Sequence, residues 1–150
     1  TIHSCPFEKK LYEIDGGGMQ IIYTNEVLIS EQCCGNILPN YFSVNIHSFT
    51  ESKVANSCLN KKIAVDRLGN IKNCPSMKFS FGNINKTTLL ECIENERFKD
   101  LWSVNKDQVL VCKDCEFRYI CHDCRAYTQN EEKYSKPLKC KYNPYEAIWE

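Results

Sequence analysis

The sequence lacks both the charge excess of a nucleic-acid-binding protein and the apolar segments of a membrane protein. Its 19 basic and 19 acidic residues cancel, so the composition gives no electrostatic sign of binding to nucleic acid or anionic lipid. No segment is long and apolar enough to span a bilayer. We therefore expect no nucleic-acid partner and no membrane association.

The sequence also lacks the features of an export signal. Its start, TIHSCPFEKKLYEID, has no basic region followed by an apolar run and a small-residue cleavage site. We therefore expect a reducing, cytoplasmic compartment, where clustered cysteines are more often metal ligands than disulfides. A secreted chain whose signal has been removed is the alternative, and it would be a disulfide scaffold.

Cysteine is the residue that the chain has in excess, with 11 among 150 residues. This density is typical of disulfide scaffolds and of metalloproteins. The densest group lies in VCKDCEFRYICHDC and consists of Cys112, Cys115, Cys121 and Cys124. Four thiols so close in sequence need a shared partner in a folded chain, and the prediction is a metal centre.

A second pair of cysteines flanks a predicted β-hairpin. In KKIAVDRLGNIKN, residues 61–73, two short apolar runs surround a turn in which Gly69 can adopt positive φ. Cys58 precedes the first strand and Cys74 follows the second. Closure of the hairpin therefore brings these two thiols into one neighbourhood.

The hairpin pair, the dense group and Cys140 supply seven thiols, whereas two four-thiolate centres need eight. The eighth comes from Cys33 or Cys34, unless Cys5 or Cys92 is recruited. Sets of four thiolates bind zinc and iron–sulfur clusters alike. The C-x2-C-x5-C spacing with a remote fourth cysteine favours an iron–sulfur cluster. A second C-x2-C knuckle in the dense group keeps structural zinc as the alternative.

The remaining pattern predicts a small, loop-rich α+β domain that is stabilised by metal. Residues 19–29 follow the turn-forming DGGG and predict a strand. Residues 87–103 predict one main helix, capped by Thr87 or Thr88 with Glu91 in a capping box. The tail after residue 130 is predicted to be mainly irregular and held in place by ligation at Cys140. The predicted buried face of the helix is Leu89, Leu90, Ile93, Phe98, Leu101 and Trp102.

Several single residues near the cysteines also have predicted roles. Cys92 lies inside the predicted helix and is interpreted as a small apolar core residue. A ligand role for His122 is disfavoured because the chain has enough cysteines for both metal sites. Phe117 and Tyr119 are predicted to shield a metal group from water. Three basic residues either add positive charge to the site or lie on solvated surface: Lys113, Arg118 and Arg125.

These residues together carry a resemblance to a known family. The order C-x(9–15)-G-x4-C, C-x2-C-x5-C-x3-C and a later C is the signature of the SPASM domain at the C-terminus of many radical SAM enzymes. The segments CLNKKIAVDRLGNIKNCPSM, FGNI, VCKDCEFRYICHDCRA and KPLKCKYNP, with CGNI at 34–37, resemble peptide maturases of the grasp-with-spasm type, which operate beside an ATP-grasp ligase. One departure is that two residues, rather than three, precede Cys124.

The resemblance implies two auxiliary [4Fe–4S] clusters with interleaved ligands. The ligands that it implies for one cluster, here called the first set, are Cys34, Cys58, Cys74 and Cys124. Those that it implies for the other cluster, the second set, are Cys112, Cys115, Cys121 and Cys140. Cys33 adjoins Cys34 and is the alternative upstream ligand.

The resemblance further implies that residues 46–150 are the SPASM auxiliary-cluster domain and that residues 1–45 are the end of a radical SAM barrel or its connection. In the full-length enzyme the barrel would use S-adenosylmethionine, and the clusters would pass electrons or engage a ribosomally made precursor peptide. The expected partners are that barrel in cis and the precursor. No three cysteines follow the C-x3-C-x2-C motif of the catalytic cluster, so we assign no catalytic residue and expect no activity from the fragment alone. The alternative function is a structural zinc module that mediates protein interaction.

Overall fold

The structure, a computed structural model, describes residues 6–7, 9–12, 20–23, 25, 27, 29–30 and 33–150. The chain divides into two compact units, Thr1–Cys34 and Gly35–Glu150. This division lies N-terminal to the predicted boundary between residues 45 and 46. The identity of residues 1–45 as the end of a barrel stays a prediction.

The first unit contains a short antiparallel pair of strands, β1 at Lys9–Tyr12 and β2 at Gln20–Tyr23. Lys9 lies opposite Tyr23 in the register. The strand predicted within residues 19–29 is therefore confirmed over β2. The predicted DGGG turn and Cys5 lie outside the described residues.

The first α-helix of the second unit is one that the sequence pattern did not predict. Helix α1 spans Ile46–Val54, and the side chain of Asn45 caps it by accepting a hydrogen bond from Ser48 N at 2.9 Å. This bond satisfies one of the N–H groups that a helix start leaves without an internal partner. Ser52 is the residue of α1 that is buried in the protein, and its hydroxyl donates a hydrogen bond to the carbonyl of Ser48.

The predicted hairpin is confirmed. Strands β3 (Ala64–Val65) and β4 (Ile71–Lys72) are antiparallel, with Val65 opposite Ile71. The turn between them has Gly69 at φ 80°, a left-handed conformation that glycine adopts without the strain a Cβ brings. The hairpin positions Ile71 in the interior of the unit.

The single helix predicted at residues 87–103 is wrong, because the segment forms two shorter helices. Helix α2 spans Leu89–Glu94 and helix α3 spans Glu96–Lys99. Asn95 separates them, since it leaves the helical conformation and accepts a hydrogen bond from Arg97 N as the cap of α3. The predicted capping box is confirmed at the start of α2, where Thr88 is the cap and Glu91 the acidic partner.

The break at Asn95 also changes which apolar side chains are buried. Leu89 is 41% exposed and Leu90 is 65% exposed, so their predicted burial is wrong. Because the helix is interrupted, the apolar residues before and after Asn95 no longer form one continuous apolar face. The core that forms instead contains Ile71, Cys92 and Phe98, with Ile63, Phe81, Ile93 and Trp102 packed around it. The interpretation of Cys92 as a core residue is confirmed.

The tail contains a third pair of strands and is otherwise mainly irregular, as predicted. Strands β5 (Tyr142–Asn143) and β6 (Ile148–Trp149) are antiparallel. Short helices and small antiparallel sheets agree with the predicted α+β class. Among the described residues no helix has the length and apolar character needed to cross a membrane.

Candidate metal centre

All four cysteines of the second set line one cavity, together with the side chains of Lys106 and Phe117. Three of them come from the dense group, and Cys140 reaches the cavity from a segment near the end of the chain. A parallel bridge between Ile37 and Cys140 holds that segment, and Cys140 N donates to the carbonyl of Pro137. The structure therefore brings together the whole second set, whose role as ligands stays a prediction.

Tight turns of the backbone orient the three cysteines that the dense group contributes to this cavity. Cys112 begins a 3-10 helix at Cys112–Asp114, and the N–H of Cys115 donates to its carbonyl at 3.0 Å. The N–H of Cys121 donates to the carbonyl of Phe117 at 2.9 Å. Val111, immediately before Cys112, has φ 68°, a strained conformation for a β-branched residue that persists only where the surrounding structure enforces it.

Aromatic rings form much of the cavity wall. Phe117 and Tyr142 pack edge to face with ring centroids 5.1 Å apart, and Tyr142 and Trp149 lie 4.9 Å apart. The predicted shielding role of Phe117 agrees with this position. That of Tyr119 is wrong, because its ring packs against Phe49 and it does not line the cavity. The rings give the thiols apolar surroundings.

Burial has a strong effect on these thiols. It raises the pKa of Cys112 to about 12, against the partly opposing charge of Lys106. It also raises the pKa of Cys115 and Cys121. Apolar surroundings disfavour the thiolate form, and a metal cation bound to the thiols would favour it.

Lys106 is a buried cation directly beside the thiols. Its side-chain Nζ donates a hydrogen bond to Cys121 Sγ at 2.9 Å. Burial lowers the pKa of this ammonium, but its interactions with Cys121, Asp123 and Cys112 outweigh that effect and raise it. Sequence reasoning missed Lys106, because nothing in its local pattern distinguishes it from the exposed lysines of the chain.

A network of buried polar side chains lies beside the dense group. Asp123 accepts a hydrogen bond from Asn56 Nδ2 at 2.8 Å and forms an ion pair with Arg125 at 2.6 Å. Asn56 Oδ1 accepts from the N–H groups of Cys58 and Leu59. The network ties the loop of Cys58 to the loop that ends at Cys124. Arg125, one of three predicted basic neighbours, is therefore buried, whereas Lys113 is exposed and Arg118 pairs with Asp107 at 2.9 Å.

The cysteines of the first set lie on four different segments. Cys34 ends the first unit, and Cys58 lies in the turn after α1. Cys74 follows β4, next to Asn73, whose amide donates to the carbonyl of Phe98 at 2.7 Å. Cys124 lies one residue after Asp123. The network described above connects the loops of Cys58 and Cys124. Cys34 and Cys74 are assigned to the set from the sequence resemblance.

Gly35 approaches Cys124 closely. A Cβ atom at Gly35 would lie 3.0 Å from Cys124 Sγ, and the residue has φ 82°. Both the close approach and the positive φ require glycine. This glycine follows Cys34 in the CGNI segment that carries part of the family resemblance.

Every cysteine among the described residues is present as a thiol rather than as half of a disulfide. Within the same part of the chain, no group of three or more His, Cys, Asp or Glu side chains is arranged to hold a single metal ion. His122 is not among the residues that line the cavity of the second set. Its Nε2 lies 3.3 Å from Ser43 Oγ, and burial lowers its pKa.

A second, larger cavity of about 360 Å³ lies between the segment after Cys74 and residues 125–133. Phe79 and Phe81 form part of its wall, with ring centroids 5.0 Å apart. Charged side chains of both signs also line it: Arg97, Asp100, Arg125, Glu131, Glu132 and Lys133. Its volume lies within the range of small-molecule sites, but it has more charged residues than the mostly apolar lining of such sites.

Comparison with known proteins finds a family model that matches part of the chain. Residues 57–116 match the family described as the SPASM iron-sulfur cluster-binding domain. The matched segment contains Cys58, Cys74, Cys112 and Cys115, and it ends before Cys121. This match supports iron–sulfur cluster binding. No curated protein and no solved structure matches the chain.

Proposed function

We propose that this chain binds two auxiliary [4Fe–4S] clusters, one on each set of cysteines. The observation that carries the proposal is the cavity lined by all four thiols of the second set, which Cys140 joins from outside the dense group. The family match over residues 57–116 supports an iron–sulfur cluster as the occupant. When bound, a cluster of this type supplies one-electron transfer.

The chemistry of the second set fits such a group. Four thiolates are soft ligands of the kind that iron–sulfur clusters use. The ammonium of Lys106, at 2.9 Å from Cys121 Sγ, offsets part of their negative charge. The rings of Phe117 and Tyr142 reduce the access of water, which is one determinant of cluster potential.

For the other cluster we propose the first set, Cys34, Cys58, Cys74 and Cys124. Gly35, which directly follows Cys34 in the chain, leaves space beside Cys124 that any larger residue would fill. The side chain of Asn56 holds the backbone of Cys58 and binds Asp123, the neighbour of Cys124. Cys33 remains the alternative upstream ligand.

We further propose that the chain is the C-terminal part of a cytoplasmic radical SAM enzyme that modifies a ribosomally made peptide. The support is the sequence resemblance to peptide maturases of the grasp-with-spasm type. The barrel, supplied in cis, would bind S-adenosylmethionine and carry the catalytic cluster. The cavity walled by Phe79 and Phe81 offers apolar and charged surface for engaging a peptide.

Iron, acid-labile sulfide and zinc analysis of anaerobically purified protein tests the cluster proposal. Two [4Fe–4S] clusters predict about eight iron and about eight sulfide per chain, with signals in electron paramagnetic resonance after reduction. Stoichiometric zinc without sulfide would instead establish the zinc module. Resistance to chelators together with few titratable thiols would establish a disulfide scaffold.

The peptide role needs a separate test in the full-length enzyme. Replacing Cys112 by alanine there should abolish modification of the precursor peptide while the barrel still cleaves S-adenosylmethionine. Normal modification by this variant would contradict the proposed role of the second set.

A further inference from the structure

Lys106 has an unusual environment for a lysine. It is 4% exposed, and lysine is almost never buried to this degree unless it is paired. The partner that its Nζ contacts is a ligand sulfur of the second set, Cys121 Sγ, at 2.9 Å. The charge of Lys106 is therefore directed at the proposed metal group.

The local backbone fixes Lys106 in this position. Asn105, the residue before it, caps the 3-10 helix Lys106–Gln108 by accepting from Asp107 N, and its amide donates to the carbonyl of Lys53 at 2.6 Å. Val104 and Val109, on either side in sequence, are fully buried. The ammonium group cannot turn to solvent without disrupting this packing.

The other charged groups around Lys106 already have partners, so they do not neutralise its positive charge. Asp123 is the carboxylate that acts on Lys106, but it already forms a 2.6 Å ion pair with Arg125. Arg118, which also lines the cavity, is paired with Asp107. A buried charge is costly unless an opposite charge compensates it. Anionic ligands, and a cluster bound to them, supply that compensation for Lys106.

We propose that Lys106 is a positioning residue that raises the reduction potential of the cluster held by the second set. The inference rests on the proposed iron–sulfur function. One electron from a reductant such as dithionite adds one negative charge to a cluster, with no bond broken and no proton transferred. A fixed ammonium on a ligand sulfur stabilises the reduced state more than the oxidised state, and hydrogen bonds to sulfur and local charge are both determinants of cluster potential.

Redox titration of the two-cluster protein, followed by electron paramagnetic resonance, tests this role. In Lys106→Met the equilibrium constant for reduction of one cluster should fall about tenfold or more, which is about 59 mV for a one-electron couple. The other cluster should keep its potential. The matched control is Lys113→Met, which removes the same charge from an exposed position between Cys112 and Cys115 and should change both potentials far less.

Iron content separates the possible outcomes. If the unmodified protein holds no iron and sulfide, the proposed cluster function fails before the variants are compared. If Lys106→Met keeps all its iron and both potentials are unchanged, the role of Lys106 is overturned. If Lys106→Met loses about half the iron, the Lys106→Arg variant distinguishes the two explanations. Full iron in Lys106→Arg, with cluster potentials near those of the unmodified protein, supports the role. Loss of half the iron in Lys106→Arg as well would show that Lys106 is purely structural.

Discussion

Asn56 and Asp123 are joined by a 2.8 Å hydrogen bond, although 67 positions separate them in the sequence. Both side chains are buried. Asn56 also accepts a hydrogen bond from the N–H of Cys58, and Asp123 immediately precedes Cys124. One buried polar contact therefore fixes two loops that each carry a proposed ligand of the first set.

Replacing Asp123 by asparagine should destabilise the fold strongly. The substitution keeps the size of the side chain but leaves the buried guanidinium of Arg125 without its countercharge. Both side chains of this ion pair are 1% exposed, and breaking a buried pair costs about 3–5 kcal/mol. Urea denaturation of the metal-loaded protein measures the change in the free energy of unfolding.

The control is Lys78→Met, which breaks an exposed ion pair with Glu131. Exposed pairs contribute little to stability, so the denaturation midpoint of this variant should not change measurably. Equal destabilisation by the two substitutions would contradict the importance given to the buried network.

Replacing Gly35 by alanine should release iron from the first set. The new Cβ would lie 3.0 Å from Cys124 Sγ, at a residue with φ 82°. Gly69→Ala is the matched control, because it introduces similar strain at φ 80° in the hairpin turn, away from any thiol. The left-handed conformation costs each alanine about 1–2 kcal/mol. Both variants should lose stability, whereas only Gly35→Ala should lose iron, and full iron content in that variant would count against Cys124 as a ligand.

Asp66 should make a pH-dependent contribution to the stability of the hairpin. Hydrogen bonds from Lys72 and then from Asn70 hold the pKa of its carboxyl well below the ordinary value. A lowered pKa gives stability that is present above the unfolded pKa, near 4, and is lost as the pH falls through the folded value. The charged form is thus the stabilising one throughout the neutral range.

Asp66→Asn measures this contribution, because asparagine cannot ionise. The difference in urea midpoint between the unmodified protein and the variant should be constant from pH 7 to about pH 4 and should shrink at lower pH. Taking the difference between the two proteins at each pH cancels the effect of acid on the metal sites, which both proteins share. A difference that grows as the pH falls would show that the sign is wrong.

Local sequence signals were sufficient for part of the fold and of the site. The hairpin was predictable because Gly69 and the flanking apolar runs act within a few residues of each other. The second set was implied by the family resemblance, and the structure brings Cys140 to the same cavity as the dense group. The capping box at Thr88 and Glu91 was predictable, like the hairpin, from local signals, since its hydrogen bonds span three residues.

The missed features depend on partners that are distant in sequence or on competition between local structures. Asn95 lies within an apolar pattern of helical spacing, yet its side chain caps a new helix and ends the previous one. Lys106 resembles the exposed lysines in composition and neighbours, and only the packing around Cys121 reveals its burial. The partner of Asn56 could not be deduced, because a polar residue in a turn carries no sign of a contact 67 positions away.

The most direct test of the two-cluster account is the iron and sulfide content of Cys140→Ala compared with Cys92→Ala, both purified anaerobically. Cys140 lines the cavity of the second set, whereas Cys92 packs in the core with Ile71 and Phe98. The account predicts that Cys140→Ala loses about half of the iron and sulfide and that Cys92→Ala keeps the full amount. Full iron in Cys140→Ala, or the loss of half in Cys92→Ala, would contradict it.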